Sequence, residues 1–201
     1  MRIAIRFFDL LFSILGLIFF LPFLIIISIF IKINSKGSVF FLQKRVGKNN
    51  IDFVLCKFRT MKINMEKERS LTVGKDSRIT SVGYFLRKYK LDEIPQLWNV
   101  LKGEMSLVGP RPELRKFVEL YTPEQKTILR LPPGITDIAS IKFRNENELL
   151  AGASDPEQYY IKEIMPIKIE LNQHYIAHRN VGTYFFIIFN TLFSIFKPQN
   201  L

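Results

Sequence analysis

Asp92 and Glu93 stand side by side in YKLDEIPQLWNVLKG (Tyr89 to Gly103), directly after the basic run Arg87-Lys88-Tyr89-Lys90. A carboxylate pair at the end of a cationic stretch can share a divalent cation, attack an electrophile, or simply form surface ion pairs. More cations lie nearby in sequence: Lys57, Arg59, Arg78 and Arg87 upstream, and Arg111 downstream in SLVGPRPEL. If these converge, the site suits a diphosphate, with the carboxylates sharing Mg2+ with its oxygens. The metal would offset repulsion between an anionic nucleophile and an anionic substrate. An aspartate attacking phosphorus would split one hard displacement into two easier ones. A lone Asp-Glu pair is more often solvated surface, so the argument rests on its neighbours.

Those neighbours need elements to position them. Pro95 followed by QLWNVLKG predicts a short helix that starts just after the carboxylates and stops at Gly103. Asp92 and Glu93 would then sit at or before a helix N-terminus, where dipole and free amides favour negative charge and keep both ionised. Ser81 to Lys88 reads as the start of another helix leading toward them. Pro110 and Pro112 flank Arg111, restrict its backbone and present a pinned guanidinium to phosphate; by itself, Pro-Arg-Pro is also an ordinary surface loop. Leu131 to Thr136, LPPGIT, is a second rigid turn. SVFFLQKRVG and DFVLCKFRTM, joined by Gly47-Lys48-Asn49-Asn50, predict a small β-hairpin.

Charge and hydropathy place this domain beside a membrane. The 201-residue chain carries a formal charge of +11, and the stretch from Lys32 to Lys90 holds 15 Lys/Arg against 4 Asp/Glu. The remainder is neutral, so the excess lies between an apolar N-terminal run and the carboxylate pair. Leu10 to Ile31 is 22 residues without a charge, long enough to cross the hydrocarbon core as a helix. Its length and the lack of a small-residue cleavage site argue against a removable leader. Pro22 lies near its middle and basic residues flank both ends, so a simple span and a re-entrant hairpin both fit. Thr183 to Phe196 is too short to span and reads as a buried or interfacial helix. Basic residues near an anionic leaflet would add membrane attraction. Cys56 is the only cysteine, which excludes an internal disulfide. The two histidines offer no metal-ligand spacing.

FFLQKRVGKNN, CKFRTMK, DSRITSVGYFLRKYKLDEIPQLWNVLKGEMSLVGPRPEL and PGIT occur here in that order. This string strongly resembles the bacterial sugar transferase family, the monotopic phosphoglycosyl transferases, over nearly the whole chain, in its small form of little beyond a catalytic core. The resemblance implies an α+β, helix-rich fold. Residues 1–36 would form a re-entrant membrane helix broken at Pro22. Residues 37–201 would form a compact cytoplasmic, membrane-associated catalytic domain with amphipathic interfacial helices.

It further implies transfer of a sugar 1-phosphate from a UDP-sugar to polyprenyl (undecaprenyl) phosphate, with release of UMP, as the first step of surface-glycan assembly. The site would lie at the cytoplasmic face of the bacterial inner membrane, with both termini cytoplasmic and no nucleic-acid partner. Asp92 would be the covalent nucleophile, Glu93 would support metal binding and the second half-reaction, and Mg2+ would be required. Lys57, Arg59 and Arg111 would serve the phosphates or nucleotide.

Three departures from the family pattern stand out. Leu21 replaces the usual Ser before Pro22, Lys90 replaces the Ser before Leu-Asp-Glu, and Pro-Gly-Ile-Thr-Asp-Ile-Ala-Ser replaces Pro-Gly-Ile-Thr-Gly-(apolar)-Ala-Gln. The last leaves the identity of the sugar open. Two other classes compete: a non-catalytic membrane-tethered binder of nucleic acid or anionic lipid, and a membrane phosphohydrolase.

Overall fold

The charge-free run Leu10 to Ile31 forms the bulk of one helix of 33 residues, α1 (Arg2–Asn34), in the computed structural model, which describes residues 2–62, 71–74 and 76–196. Pro22 lies inside this helix. The expected break is therefore not an interruption: proline removes one backbone bond, and the long apolar helix continues on both sides of it. Most of its apolar side chains are exposed, among them Ile18, Phe19, Leu21, Phe23 and Ile26.

Both ends of α1 are nonetheless fastened to the rest of the chain. Near its start, Arg6 donates to the carbonyls of Val100 (2.6 Å) and Leu101 (2.9 Å). Asp9, buried, accepts from Ser106 Oγ (3.0 Å), Leu107 N (2.9 Å) and Tyr184 Oη (2.8 Å). Three bonds to one carboxylate offset the cost of burying it. At the other end Ile31 is buried with Phe58 and Leu86, and Asn34 Nδ2 donates to Ser81 Oγ (3.0 Å). Arg59 completes the fastening, donating to the carbonyls of Lys36 (2.5 Å) and Ser35 (2.8 Å).

The hairpin forms as expected, with β1 (Phe40–Val46) antiparallel to β2 (Asp52–Phe58). Its register pairs Phe41 with Lys57, Gln43 with Leu55 and Arg45 with Phe53, so these side chains share a face. Helix α2 (Ser81–Lys88) begins at Thr80, whose hydroxyl accepts from Gly83 N. A Cβ on Gly83 would lie 2.0 Å from the Thr60 carbonyl oxygen, so glycine is what lets α2 press against the chain leaving β2. A 3-10 turn at Leu91–Glu93 then leads into α3 (Gln96–Lys102), which ends at Gly103 with φ 84°. Buried Asn99 fixes α3 to the hairpin: its Oδ1 accepts from Cys56 N (3.1 Å) and its Nδ2 donates to Val54 O (2.8 Å).

Beyond α3 come β3 (Ser106–Val108), α4 (Arg115–Val118), β4 (Gly134–Thr136), α5 (Ile138–Lys142), α6 (Glu146–Ala151), α7 (Pro156–Tyr159), α8 (Met165–Ala177) and α9 (Val181–Phe196). β3 and β4 pair in parallel, Ser106 with Gly134 and Val108 with Thr136. This second small sheet is too short to announce itself by alternation. One apolar core gathers Val46, Phe117, Tyr160, Ile164 and Ile169; another joins Ile5 of α1 to Val108, Tyr175, Tyr184 and Ile187. α9 is amphipathic as expected, burying Tyr184 and Ile187 while exposing Phe186, Phe189, Leu192 and Phe193.

Arg59→Ala is expected to destabilise the protein by about 1.5–3 kcal/mol, the scale of hydrogen bonds made by a buried charged group. Thermal unfolding in detergent checks the loss, and hydrogen exchange should rise at residues 31–36.

Candidate active site

A cleft of about 920 Å3 opens between the hairpin, α2, the 3-10 turn and the loop after β3. Lys57, Arg78, Arg87, Asp92, Glu93 and Arg111 all line it. Arg59 does not: its guanidinium is buried against the carbonyls that follow α1. The expectation that Arg59 serves the phosphates is therefore corrected: Arg59 is not among the residues lining the cleft, and its Nη1 and Nη2 are turned to backbone carbonyls.

Glu93 is the hub. Its Oε1 accepts from Lys57 Nζ at 3.0 Å and from Arg111 Nη2 at 2.6 Å. Burial alone would raise the Glu93 pKa, but Arg111 and Lys57 hold it well below the usual carboxylate range. Burial pulls Lys57 down to about 8 against the opposing pull of Glu93. Arg111 moves up, driven first by Glu93.

Asp92 is its neighbour in sequence and differs in environment. Burial, and then the charge of Glu93, raise its pKa, with Lys57 and Arg87 opposing. The helix start does not keep the two carboxylates equally ionised, because Glu93 takes the close cations and Asp92 does not. Asp92 Oδ1 is buried and has no hydrogen-bond partner among the described residues. An oxygen in this state lacks solvation that a ligand, metal or reacting centre would supply.

The other cations differ in availability. Arg78 is gripped by Asp76, which accepts from its Nε (2.9 and 3.0 Å) and Nη2 (2.5 Å). Arg87 is held instead by neutral hydroxyls, Thr60 Oγ1 (2.8 Å) and Thr72 Oγ1 (3.1 Å), and has no ion pair among the described residues. Its charge is thus free to act on the cleft. Lys90, just before the turn, adopts the left-handed conformation at φ 58°, uncommon for a side chain with a Cβ. Part of the basic stretch, 63–70 and 75, lies outside the described residues.

Sequence reasoning passed over Arg45, Glu113 and Tyr160, which also line the cleft. Arg45 donates to Gln43 Oε1 (3.0 and 2.8 Å) and to the Pro112 carbonyl (3.2 Å), and it pairs with Glu113. Tyr160 Oη donates to Glu113. Strand alternation carried the signal, since it places Arg45 on the face shared by Lys57.

Among the described residues no group of three or more His, Cys, Asp or Glu side chains could hold a metal. Mg2+ does not require one, since it is commonly bound by one or two carboxylates plus substrate phosphate and water. The unpartnered Asp92 oxygen beside Glu93 fits that mode.

The bacterial sugar transferase family matches residues 1–198. The chain belongs to this family. As a bacterial sugar transferase it is 37% identical over 193 residues to a UDP-N-acetylgalactosamine-undecaprenyl-phosphate N-acetylgalactosaminephosphotransferase of Aeromonas hydrophila, covering 93% of this chain and 42% of that protein. It is 43% identical over 120 residues to a putative undecaprenyl-phosphate N-acetylgalactosaminyl 1-phosphate transferase of Bacillus subtilis (strain 168), covering 59% of this chain and 67% of that one. With the exopolysaccharide production protein ExoY of Sinorhizobium fredii it shares 39% over 160 residues, 72% of this chain and 71% of the relative. The chain thus spans less than half the length of the Aeromonas relative.

Glu93→Ala in this sugar transferase should leave the part-exposed Lys57 and Arg111 without their shared counter-charge and cost about 1.5–3 kcal/mol, the scale of hydrogen bonds to a charged group. Adding Lys57→Met should recover part of that loss. A double-mutant cycle by denaturant unfolding measures the coupling.

Proposed function

We propose that the chain is a phosphoglycosyl transferase that moves a sugar 1-phosphate from a UDP-sugar to polyprenyl phosphate. The observation that carries the reading is Asp92 Oδ1, buried without a partner in a cationic cleft while the adjacent Glu93 is pinned by Lys57 and Arg111. The relatives, undecaprenyl-phosphate sugar phosphotransferases among them, support the substrate class.

Asp92 attacks the sugar-bearing phosphorus of the donor. An Asp–O–P bond forms, the bond from that phosphorus to the oxygen of the departing nucleotide breaks, and UMP leaves with the electron pair. A phosphate oxygen of the lipid then attacks the same phosphorus and returns Asp92 as a carboxylate, yielding the lipid diphospho-sugar. Glu93 holds Lys57 and Arg111 at the cleft, where the two cations orient the diphosphate. Arg87, held by threonine hydroxyls and without an ion pair among the described residues, adds a positive charge that acts on Asp92. Asp92 and Glu93 are the residues that would hold Mg2+, which when bound neutralises phosphate charge.

The membrane reading follows from α1. Its two ends are bonded to one and the same body, a feature expected of a re-entrant helix and not of one carrying its start to the opposite face. The exposed apolar faces of α1 and α9 would lie in the bilayer, with anionic lipid attracted by the basic segment. On this reading the site and both termini are cytoplasmic.

Incubation with UDP-sugar and Mg2+ but no lipid should release about one UMP per protein and leave sugar phosphate on Asp92. Undecaprenyl phosphate should make release catalytic, and chelation of Mg2+ should stop it. Asp92→Asn should abolish both phases, and release that persists in this variant would overturn the mechanism. Turnover to free sugar phosphate without lipid would favour a hydrolase. In a Cys56→Ser background, cysteines placed at positions 2 and 40 should label from the same face of the membrane; labelling from opposite faces would remove the re-entrant reading.

A further inference from the structure

Arg111 is aimed by its backbone as well as by its side chain. Pro110 and Pro112 have no N–H, so the amide of Arg111 is the donor of that tripeptide. It goes to Asp137, whose Oδ2 accepts at 3.2 Å. The same oxygen accepts from Asn172 Nδ2 of α8 at 2.8 Å, and Oδ1 accepts from Ser140 N at 2.6 Å, capping α5. Asp137 is 2% exposed and Asn172 is 3% exposed, so neither bond has water as a ready substitute.

The two loops can meet because glycine faces glycine. A Cβ on Gly134 would lie 2.1 Å from Gly109 N, and one on Gly109 would lie 2.6 Å from the Pro132 carbonyl oxygen. Backbone bonds zip the approach: Gly109 N to Thr136 O at 3.0 Å and Gly134 N to Pro110 O at 2.9 Å.

We propose that Asp137 is a positioning residue for Arg111, holding the proline-framed backbone so that the guanidinium meets Glu93 and the donor diphosphate. Asp137 holds the backbone amide and Glu93 holds the guanidinium, so Arg111 is fixed at both of its ends. Arg45 steadies the next peptide through the Pro112 carbonyl. Asp137 also contributes to the raised pKa of Arg111, after Glu93. A full charge is better suited to this than a neutral cap, because one oxygen serves two donors while the other serves the helix. The proposal rests on the transferase reading for its kinetic consequence but not for its geometry.

Asp137→Ser separates the two roles, because serine is a good helix cap whose one short hydroxyl cannot also serve the Arg111 amide. Two readouts are needed. Hydrogen exchange of the segment 107–113 should speed up at Arg111 in this variant and stay unchanged elsewhere in the loop. In UMP release, kcat/KM should fall about tenfold, the scale of one hydrogen bond to a charged group. In an Arg111→Ala background the same substitution should change kcat/KM little. An equal fall in both backgrounds would mean a merely structural role and overturn the proposal, as would unchanged exchange at Arg111. If the wild-type protein releases no UMP, the transferase reading fails and exchange alone decides whether Asp137 holds Arg111. Should Asp137→Ser fail to fold, Asp137→Thr, which keeps a capping hydroxyl and likewise has no second oxygen for the Arg111 amide, is put through the same two measurements and judged by the same outcomes.

Discussion

Glu93 accepts from Lys57 on β2 and from Arg111 on the loop after β3, and the rest of the site depends on that three-way charge contact. A buried carboxylate is costly unless paired, and so is each buried cation. None of the three can therefore move without exposing the other two to that cost. The hairpin, the 3-10 turn and the proline-framed loop are brought into register here by charge. Apolar clusters hold the elements that this contact aligns, Phe58 of the hairpin and Leu91 of the turn meeting in the one around Ile31 and Leu86.

The consequence falls on Asp92. It follows the same basic stretch and precedes the same helix, yet the near cations are taken by its neighbour, so it retains a buried oxygen without a partner. Two adjacent carboxylates thereby acquire opposite characters: one is electrostatic scaffolding, and the other is held undersolvated in the cleft. Pushing neighbouring titratable groups apart in this way is how an active site divides labour between two residues of the same chemistry.

Much of this was legible before any coordinates. The Gly-Lys-Asn-Asn turn, the alternating strands around it, and Pro95 and Gly103 bracketing α3 all follow from local patterns, whereas the meeting of Lys57, Arg78, Arg87 and Arg111 in one cleft was a supposition that only the tertiary structure could fill in. Arg59 went wrong because sequence shows a basic motif and not where its guanidinium is directed; one residue beyond the end of β2, it turns to the carbonyls after α1 and not to the cleft. Pro22 was read as the break of a re-entrant helix, and it lies inside one helix of thirty-three residues. β3 and β4, three residues each, carry no period to detect. Asp137 looked like a question of sugar identity. Its role at the Arg111 amide is a contact between residues 26 apart and becomes visible only once the two glycines are seen to touch.

The fastening of α1 at both ends sets the geometry of the whole molecule. Arg6 grips the end of α3, and Arg59 grips the chain just beyond the helix, so the apolar helix and the elements bearing Asp92 form a single truss. A catalytic body hung from a membrane helix by a loose linker samples a range of heights and tilts above the lipid. This one is given a fixed altitude. On the proposed reading, a phosphate at the headgroup level meets the nucleophile at one standoff, and the entropy of finding it is settled when the chain folds rather than at each encounter.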